Sequence, residues 1–202
     1  MSAALPDHIV ALDIDAELWD RCFTVAPLVL VGTRDASGAA DLAPKHMVTP
    51  MGWGNYFGFV CTPRHGTYRN IQRAGVFTVS YPRPSQLLYT SLAAAPRCGD
   101  EEKPSLLALP TVPATRVDGV FIEDAYLFLE CEHFKTVDGF GINSLITGEI
   151  VAAYAHTDAL RSSEWDDQEL IHDAPLLAYL QPGRFASIER SYSFPFPAGM
   201  KK

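Results

Sequence analysis

Between Tyr126 and Val137 the side chains alternate, with Leu127, Leu129 and Cys131 on one face and Glu130 and Glu132 on the other. A period of two marks an extended strand, and one apolar face opposed to one polar face marks a strand half-buried in an antiparallel sheet. The β-rich stretch Ile146 to His156 follows closely enough to be its hairpin partner. Upstream, the apolar run Leu28 to Val31 predicts a buried strand. The turn residues Arg34-Asp35-Ala36-Ser37-Gly38 then connect it to a second strand entering Leu42, and this turn chemistry predicts a hairpin. Tyr56 to Cys61 and Val76 to Tyr81 are further strands, rich in aromatic and β-branched residues. Thr67 to Arg73 predicts a short helix between them; others are expected around Glu17 to Phe23 and Pro84 to Leu92, and Cys98 to Gly119 reads as a polar, proline-containing connection. Many short strands separated by brief helices favour a mainly β fold of barrel type over a parallel α/β sheet.

A length of 202 residues suits one domain spanning 1–202, and an apolar content of 48% buries a core without covalent staples. With a formal charge of -8 and a pI near 5.1, the chain is unsuited to nucleic acid or to an anionic membrane surface. It has no apolar run of bilayer length and no N-terminal signal core, so a cytoplasmic location is expected. Cys22, Cys61, Cys98 and Cys131 are widely spaced, without a CxxC pair, and the six histidines form no HExxH or HxH arrangement. Reduced thiols and no metal are the expectation.

Charge is distributed unevenly. The 58 residues between Asp41 and Asp100 contain no carboxylate, yet carry Lys45, Arg64, Arg69, Arg73, Arg83 and Arg97. A cationic block inside an acidic chain points to a local site for a small anion. Within it, Cys61-Thr62-Pro63-Arg64-His65-Gly66-Thr67-Tyr68-Arg69-Asn70 runs from a strand end into a helix start, where unpaired N–H groups and a partial positive charge suit a phosphate. Thr67 is a candidate N-cap whose hydroxyl could instead donate to the anion, Arg64 adds a planar donor fork, and Gly66 allows close backbone approach. The plain alternative is a capped surface helix with a basic face. A second segment, Asp41 to Pro50, is a loop stiffened by Pro44 and Pro50 whose backbone groups could bond a planar heterocycle, with Lys45 and His46 adding positive charge; its alternative is a simple connection between strands. Gly52-Trp53-Gly54 has neither the glycine spacing nor the following helix of a dinucleotide fingerprint, and no GxSxG elbow occurs.

In order and spacing, these segments resemble the flavin reductase-like, FMN-binding split-barrel family, which includes the flavoredoxins. The likeness rests on Asp35-Ala36-Ser37-Gly38 leading into Leu42-Ala43-Pro44, then Thr67-x-Arg69-Asn70-Ile71 before Gly75-Val76-Phe77-Thr78-Val79. It continues through Thr111-Val112-Pro113-Ala114, Leu129-Glu130-Cys131-Glu132 and Gly148-Glu149-Ile150-Val151, and ends with Pro175 to Leu180 before Gly183-Arg184-Phe185-Ala186. The resemblance implies a six-stranded split β-barrel of Greek-key layout, a homodimer, and FMN near the dimer interface. It assigns Lys45, His46, Met47 and Thr49 to the isoalloxazine ring. Cys61, Thr62, Arg64, His65, Thr67 and Asn70 are assigned to the ribityl chain and phosphate. Many members carry Ser or Thr where His46 stands, and often a Lys-Asp pair where this chain has His65-Gly66.

The flavin would carry the chemistry, so no catalytic acid, base or nucleophile is expected. The implied activity is an FMN oxidoreductase with NADH or NADPH as transient hydride donor and a second flavin, metal complex or redox partner protein as acceptor. The alternatives are a non-enzymatic flavin-binding electron carrier, and a relative that binds another phosphorylated ligand or a haem, with His46 or His65 as haem ligand. Asp100-Glu101-Glu102 and the tail from Tyr192 to Pro197 are candidates for covering the site or serving the dimer.

Overall fold

The computed structural model describes residues 6–97, 103–161 and 167–200. In chain order the strands are β1 (Thr24–Pro27), β2 (Val29–Arg34), β3 (Ala40–Lys45), β4 (Val48–Pro50), β5 (Tyr56–Cys61), β6 (Val76–Tyr81), β7 (Thr111–Pro113), β8 (Val120–Ile122), β9 (Leu127–Phe140), β10 (Asn143–Ala155), β11 (Leu176–Gln181) and β12 (Arg184–Ile188). Helix α1 (Gly66–Ala74) lies between β5 and β6, α2 (Leu87–Leu92) follows β6, and α3 (Asp167–Asp173) precedes β11.

Seven strands form one antiparallel sheet in the order β3-β2-β6-β9-β10-β5-β4, which curls into an open half-barrel. This is the mainly β split barrel that the sequence implies, with one more strand than six in the main sheet. The extra strand is the three-residue β4: the chain leaving β3 turns back and pairs Val48 with Phe59 along the otherwise open edge of β5. A three-stranded sheet, β1-β11-β12, and the ribbon β7-β8 complete the strands.

The turn between β2 and β3 forms for the reason its sequence gives. Asp35 Oδ1 accepts hydrogen bonds from the Ser37 amide at 2.9 Å, the Ser37 hydroxyl at 2.6 Å and the Ala39 amide at 3.0 Å, while Gly38 takes φ 86°. β5 and β6 begin and end where the sequence predicts. The helix expected around Glu17 to Phe23 is only a 3-10 turn over Leu18–Asp20, with no buried side chain to hold it. That expected from Pro84 to Leu92 is a 3-10 turn, Pro84–Gln86, running into α2. The connection from Cys98 contains a 3-10 turn at Pro104–Ala108 and the ribbon β7-β8, while Cys98 and Asp100-Glu101-Glu102 lie outside the described residues. Cys22, Cys61 and Cys131 are unbridged.

Two apolar clusters fill the barrel. One gathers Val29, Val31, Phe57, Phe59, Ile71, Phe77, Val79 and Ile146; the other gathers Leu30, Leu42, Ala93, Val120 and Ile122 under the α2 segment. The first therefore joins the sheet to α1 through Ile71.

Glu130 departs from the simple alternation of β9. Expected on the polar face with Glu132, it is fully buried. Its Oε1 accepts from the amide and hydroxyl of Thr115 at 2.9 and 2.8 Å, and its Oε2 from the amides of Arg116 and Val117 at 2.6 and 2.8 Å. The carboxylate thus satisfies the backbone of the turn between β7 and β8, which covers it from water. These bonds hold its pKa below the ordinary glutamate value, against burial, which pushes it up.

Candidate functional site

β5 ends at Cys61, and a short turn closed by the His65 amide on the Thr62 carbonyl (3.0 Å) leads into α1. His65 is the N-cap, with an extended backbone and no side-chain cap hydrogen bond, and no acidic residue stands in the first turn. Thr67 is therefore not the N-cap: the helix begins at Gly66, and Thr67 lies inside the first turn, almost fully buried. Thr67, Asn70 and Ile71 share the buried face by helical spacing, and Gly75, at φ 71°, closes the helix by donating its N–H to the Ile71 carbonyl at 2.8 Å. A helix start with neither side-chain cap nor carboxylate presents its first N–H groups and its positive dipole end to an incoming anion.

That start opens onto a cleft of about 440 Å³. Its walls come from β3 (Asp41, Lys45), from the entry and first turn of α1 (Arg64 to Thr67, and Arg69), and from the segment Ala93 to Arg97 with Lys103. Among the described residues, five cationic side chains, Lys45, Arg64, Arg69, Arg97 and Lys103, line it together with the carboxylate of Asp41. Arg97 Nη2 contacts Asp41 Oδ2 at 2.7 Å, and Arg69 donates to the Arg64 carbonyl at 2.7 Å. Lys103 Nζ donates to the carbonyls of Leu42, at 3.0 Å, and Ala93, which ties the third wall to β3. A Cβ on Gly66 would stand 2.6 Å from Arg97 Nη2 and 3.1 Å from Asp41 Oδ2, so a side chain there would displace the Arg97 guanidinium.

The cations act on one another. Burial, then the charges of Lys45, Arg69 and Lys103, lower the pKa of His65. Burial lowers that of Lys103 as well; Asp41 opposes this, while Arg97 and Lys45 add to it. Burial is the larger cause of each shift, and neighbouring positive charge, which a bound anion would offset, is the smaller. A second cleft, of about 460 Å³, lies around Arg83, Gln86, Tyr89, Glu123, Asp124, His156 and Asp158. There Arg83 is paired with Asp158 at 2.6 Å and carboxylates outnumber it, so that cleft has no surplus for an anion.

Of the ten residues expected from sequence, Lys45, Arg64, His65 and Thr67 line the first cleft. Asn70 sits beneath it, donating to Thr33 Oγ1 at 2.9 Å and to Asp41 Oδ2 at 3.4 Å. Thr62 donates to Asn143 Oδ1 at 3.0 Å, and the thiol of buried Cys61, its pKa pushed up by burial, donates to the Thr62 carbonyl at 3.7 Å. His46, Met47 and Thr49 lie beyond the cleft on the turn into β4 and on β4 itself; Met47 and Thr49 are exposed. His46 stacks on Tyr179 of β11, ring centroids 4.4 Å apart, and burial lowers its pKa against a hydrogen bond with Gln181. The ten-residue set omits Asp41, Arg69, Arg97 and Lys103. The carboxylate-free block contains Arg69 and Arg97 and begins after Asp41, so the signal for three of these four is charge distribution rather than any local motif.

The profile of the flavin reductase like domain matches residues 21–188. The chain belongs to the flavin reductase-like family. Solved relatives share the fold at low identity. Flavoredoxin of Desulfovibrio vulgaris (Miyazaki F) is 19% identical, with 95% of this chain and 100% of that chain covered and a TM-score of 0.74. Nitrilotriacetate monooxygenase component B from Bacillus cereus is 14% identical, with coverages of 94% and 100% and a TM-score of 0.78. An FMN-binding protein from Thermus thermophilus is 17% identical, with coverages of 94% and 99% and a TM-score of 0.72. Membership makes this a flavoprotein fold with oxidoreductase activity as its family character. Among the described residues no helix is long and apolar enough to cross a membrane, and no group of three or more His, Cys, Asp and Glu side chains gathers as a metal site.

Proposed function

We propose that this chain is an NAD(P)H-dependent FMN oxidoreductase that passes electrons to a free flavin, a metal complex or a partner protein. The observation that carries this reading is the cationic cleft at the uncapped start of α1. Its donor set fits a phosphate monoester: first-turn N–H groups, the Arg64 guanidinium and the Thr67 side chain border one space. Lys45, at the end of β3, joins this cleft to the turn bearing His46 and Met47, where the heterocycle of the same ligand would lie.

A bound flavin would supply the redox chemistry, a hydride from the reduced nicotinamide arriving as two electrons and a proton, with the electrons passed to the acceptor and the proton passed on or released to water. The protein binds, orients and shields. The α1 start and Arg64 anchor the phosphate, and Asn70, fixed on Thr33, keeps Asp41 and hence Arg97 in place behind it. Burial keeps His46 largely neutral at pH 7, and its stacking on Tyr179 fixes the ring beside the proposed heterocycle position. A neutral imidazole there adds no positive charge to the electron-accepting ring.

The proposed setting is a homodimer of single-domain chains in the cytoplasm. Exposed Phe134, Phe140 and Ile142 on the β9–β10 hairpin and fully exposed Trp53 between β4 and β5 supply apolar surface for a second copy. Steady-state assays of the FMN-loaded protein with NADH and NADPH and several acceptors test the activity. The expected result is nicotinamide oxidation well above that with free FMN; rates equal to free FMN with every acceptor would overturn it.

A further inference from the structure

Two segments flank the β1-β11-β12 sheet, and both leave apolar side chains in water. Residues 6–23 are almost wholly exposed, with Val10, Ile14, Trp19 and Phe23 between 61% and 83% exposed. Among the described residues, every hydrogen bond this segment makes is internal to it, from the Ile9 amide on Pro6 to the Arg21 amide on Leu18. Beyond β12, Gln168 of α3 holds Ser191, and the tail then presents Tyr192 at 84% and Phe194 at 69% exposure. Pro195 and Pro197 bias Phe194 and Phe196 to extended backbone, so little chain freedom is lost when a surface covers them. Apolar exposure on this scale marks surface made for another protein.

Charge and topology together name that protein. Residues 7–23 carry five carboxylates against Arg21, whereas residues 190–202 carry Arg190, Lys201 and Lys202 and no carboxylate; the two lysines lie outside the described residues. The segments are thus opposite in charge and alike in their exposed apolar side chains. Within one chain they are kept apart. β1 and β12 both run antiparallel to β11, so residues 6–23 enter the sheet where Thr24 faces Gln181, and the tail leaves from the opposite end, where Ile188 faces Leu176. A two-fold axis across these strands turns a second sheet end for end, which sets the first segment of each chain against the tail of the other.

We propose that the partner is a second copy of this chain and that the two copies exchange arms, residues 6–23 of each packing on residues 190–200 of the other. This rests on the homodimer of the proposed function and not on its flavin. It adds to the hairpin surface a contact, made twice, whose specificity is electrostatic.

The dimer dissociation constant, from sedimentation velocity at low salt, tests the exchange. Asp7→Lys with Asp15→Lys and Glu17→Lys reverses the first segment and should raise the constant about tenfold, although less negative chains on their own associate more readily. Arg190→Glu with Lys201→Glu and Lys202→Glu should weaken the dimer from the other side. Asp7, Asp15, Glu17 and Arg190 are exposed, so these changes spare the core. All six substitutions in one chain restore the net charge and should return the constant to within about threefold of wild type, as should an equimolar mixture of the two triple variants. A wild type that sediments as a single chain would overturn the proposal together with the homodimer. A dimer that tolerates reversal of the first segment, or a mixture that fails to recover, would refute the exchange alone and leave the hairpin as the interface.

Discussion

Thr67 and Arg64 line the same cleft, one almost fully buried in the first turn of α1 and the other exposed before it. Thr67→Ala removes one hydroxyl from the phosphate environment and should weaken FMN binding by about 1 kcal/mol, the usual worth of a neutral hydrogen bond. Arg64→Ala should cost more, about 2 kcal/mol, because its bonds are charge-assisted. Calorimetric titration of both variants measures the difference, and unchanged affinity in both would remove the phosphate from this end of the cleft. His65 adds a pH signature. In the ligand-free chain its pKa is below the ordinary histidine value, so it is mostly neutral at pH 7; a bound dianion offsets the neighbouring positive charges, raises that pKa and draws a proton on. FMN binding near pH 6 should therefore be accompanied by proton uptake, read from the dependence of the heat on buffer ionisation enthalpy. His65→Gln should abolish the uptake.

At the scale of elements, β9 has the most to explain, because its buried carboxylate was placed on the wrong face by alternation alone. Period-two reading assigns Glu130 to water with Glu132, and nothing local reveals that the turn between β7 and β8, some fifteen residues earlier, supplies four donors to it. Glu130→Gln keeps the shape but replaces a charged acceptor, and should destabilise the fold by about 2–3 kcal/mol. Since the folded-state pKa is depressed, this contribution is present above the unfolded glutamate pKa and disappears as pH falls through the lower folded value. The stability gap between wild type and variant, from urea unfolding, should narrow below about pH 4. Gly148 was legible only as part of a short motif, yet a Cβ there would lie 2.6 Å from the Phe77 ring and 3.0 Å from Cys131 Cβ. Gly148→Ala should cost about 1–3 kcal/mol by overpacking, visible as a lowered Tm. β2, β3, β5, β6 and the β9–β10 hairpin were readable because turn chemistry and local pattern agree with the final fold. β4 was not, since it exists only by pairing with β5, and the helix cap was read two residues late, at Thr67, because Thr is a better capping residue than the His65 that occupies the position. Similarly, Arg97 and Lys103 are far from α1 in sequence, so only the sheet and the α2 segment bring them to it.

The molecule as a whole separates two kinds of surface. It has a formal charge of -8, which keeps copies apart at long range, while its cationic cleft offers positive charge to a small anion and its exposed aromatic hairpin offers apolar area. Sedimentation equilibrium should give a mass of twice 22.2 kDa. Phe134→Asp together with Ile142→Asp should shift it toward the single chain, and a single-chain mass for the wild type would remove the proposed interface. On the proposed function, the cleft at the α1 start recognises the phosphate of a flavin. Comparing the affinities of FMN and riboflavin tests it most directly, because the two ligands share the ring and the ribityl chain and differ only in the phosphate. Two charge-assisted contacts predict FMN at least roughly a hundredfold tighter, with most of the gap lost in Arg64→Ala. Equal affinity for the two, or a gap that Arg64→Ala leaves intact, would contradict it.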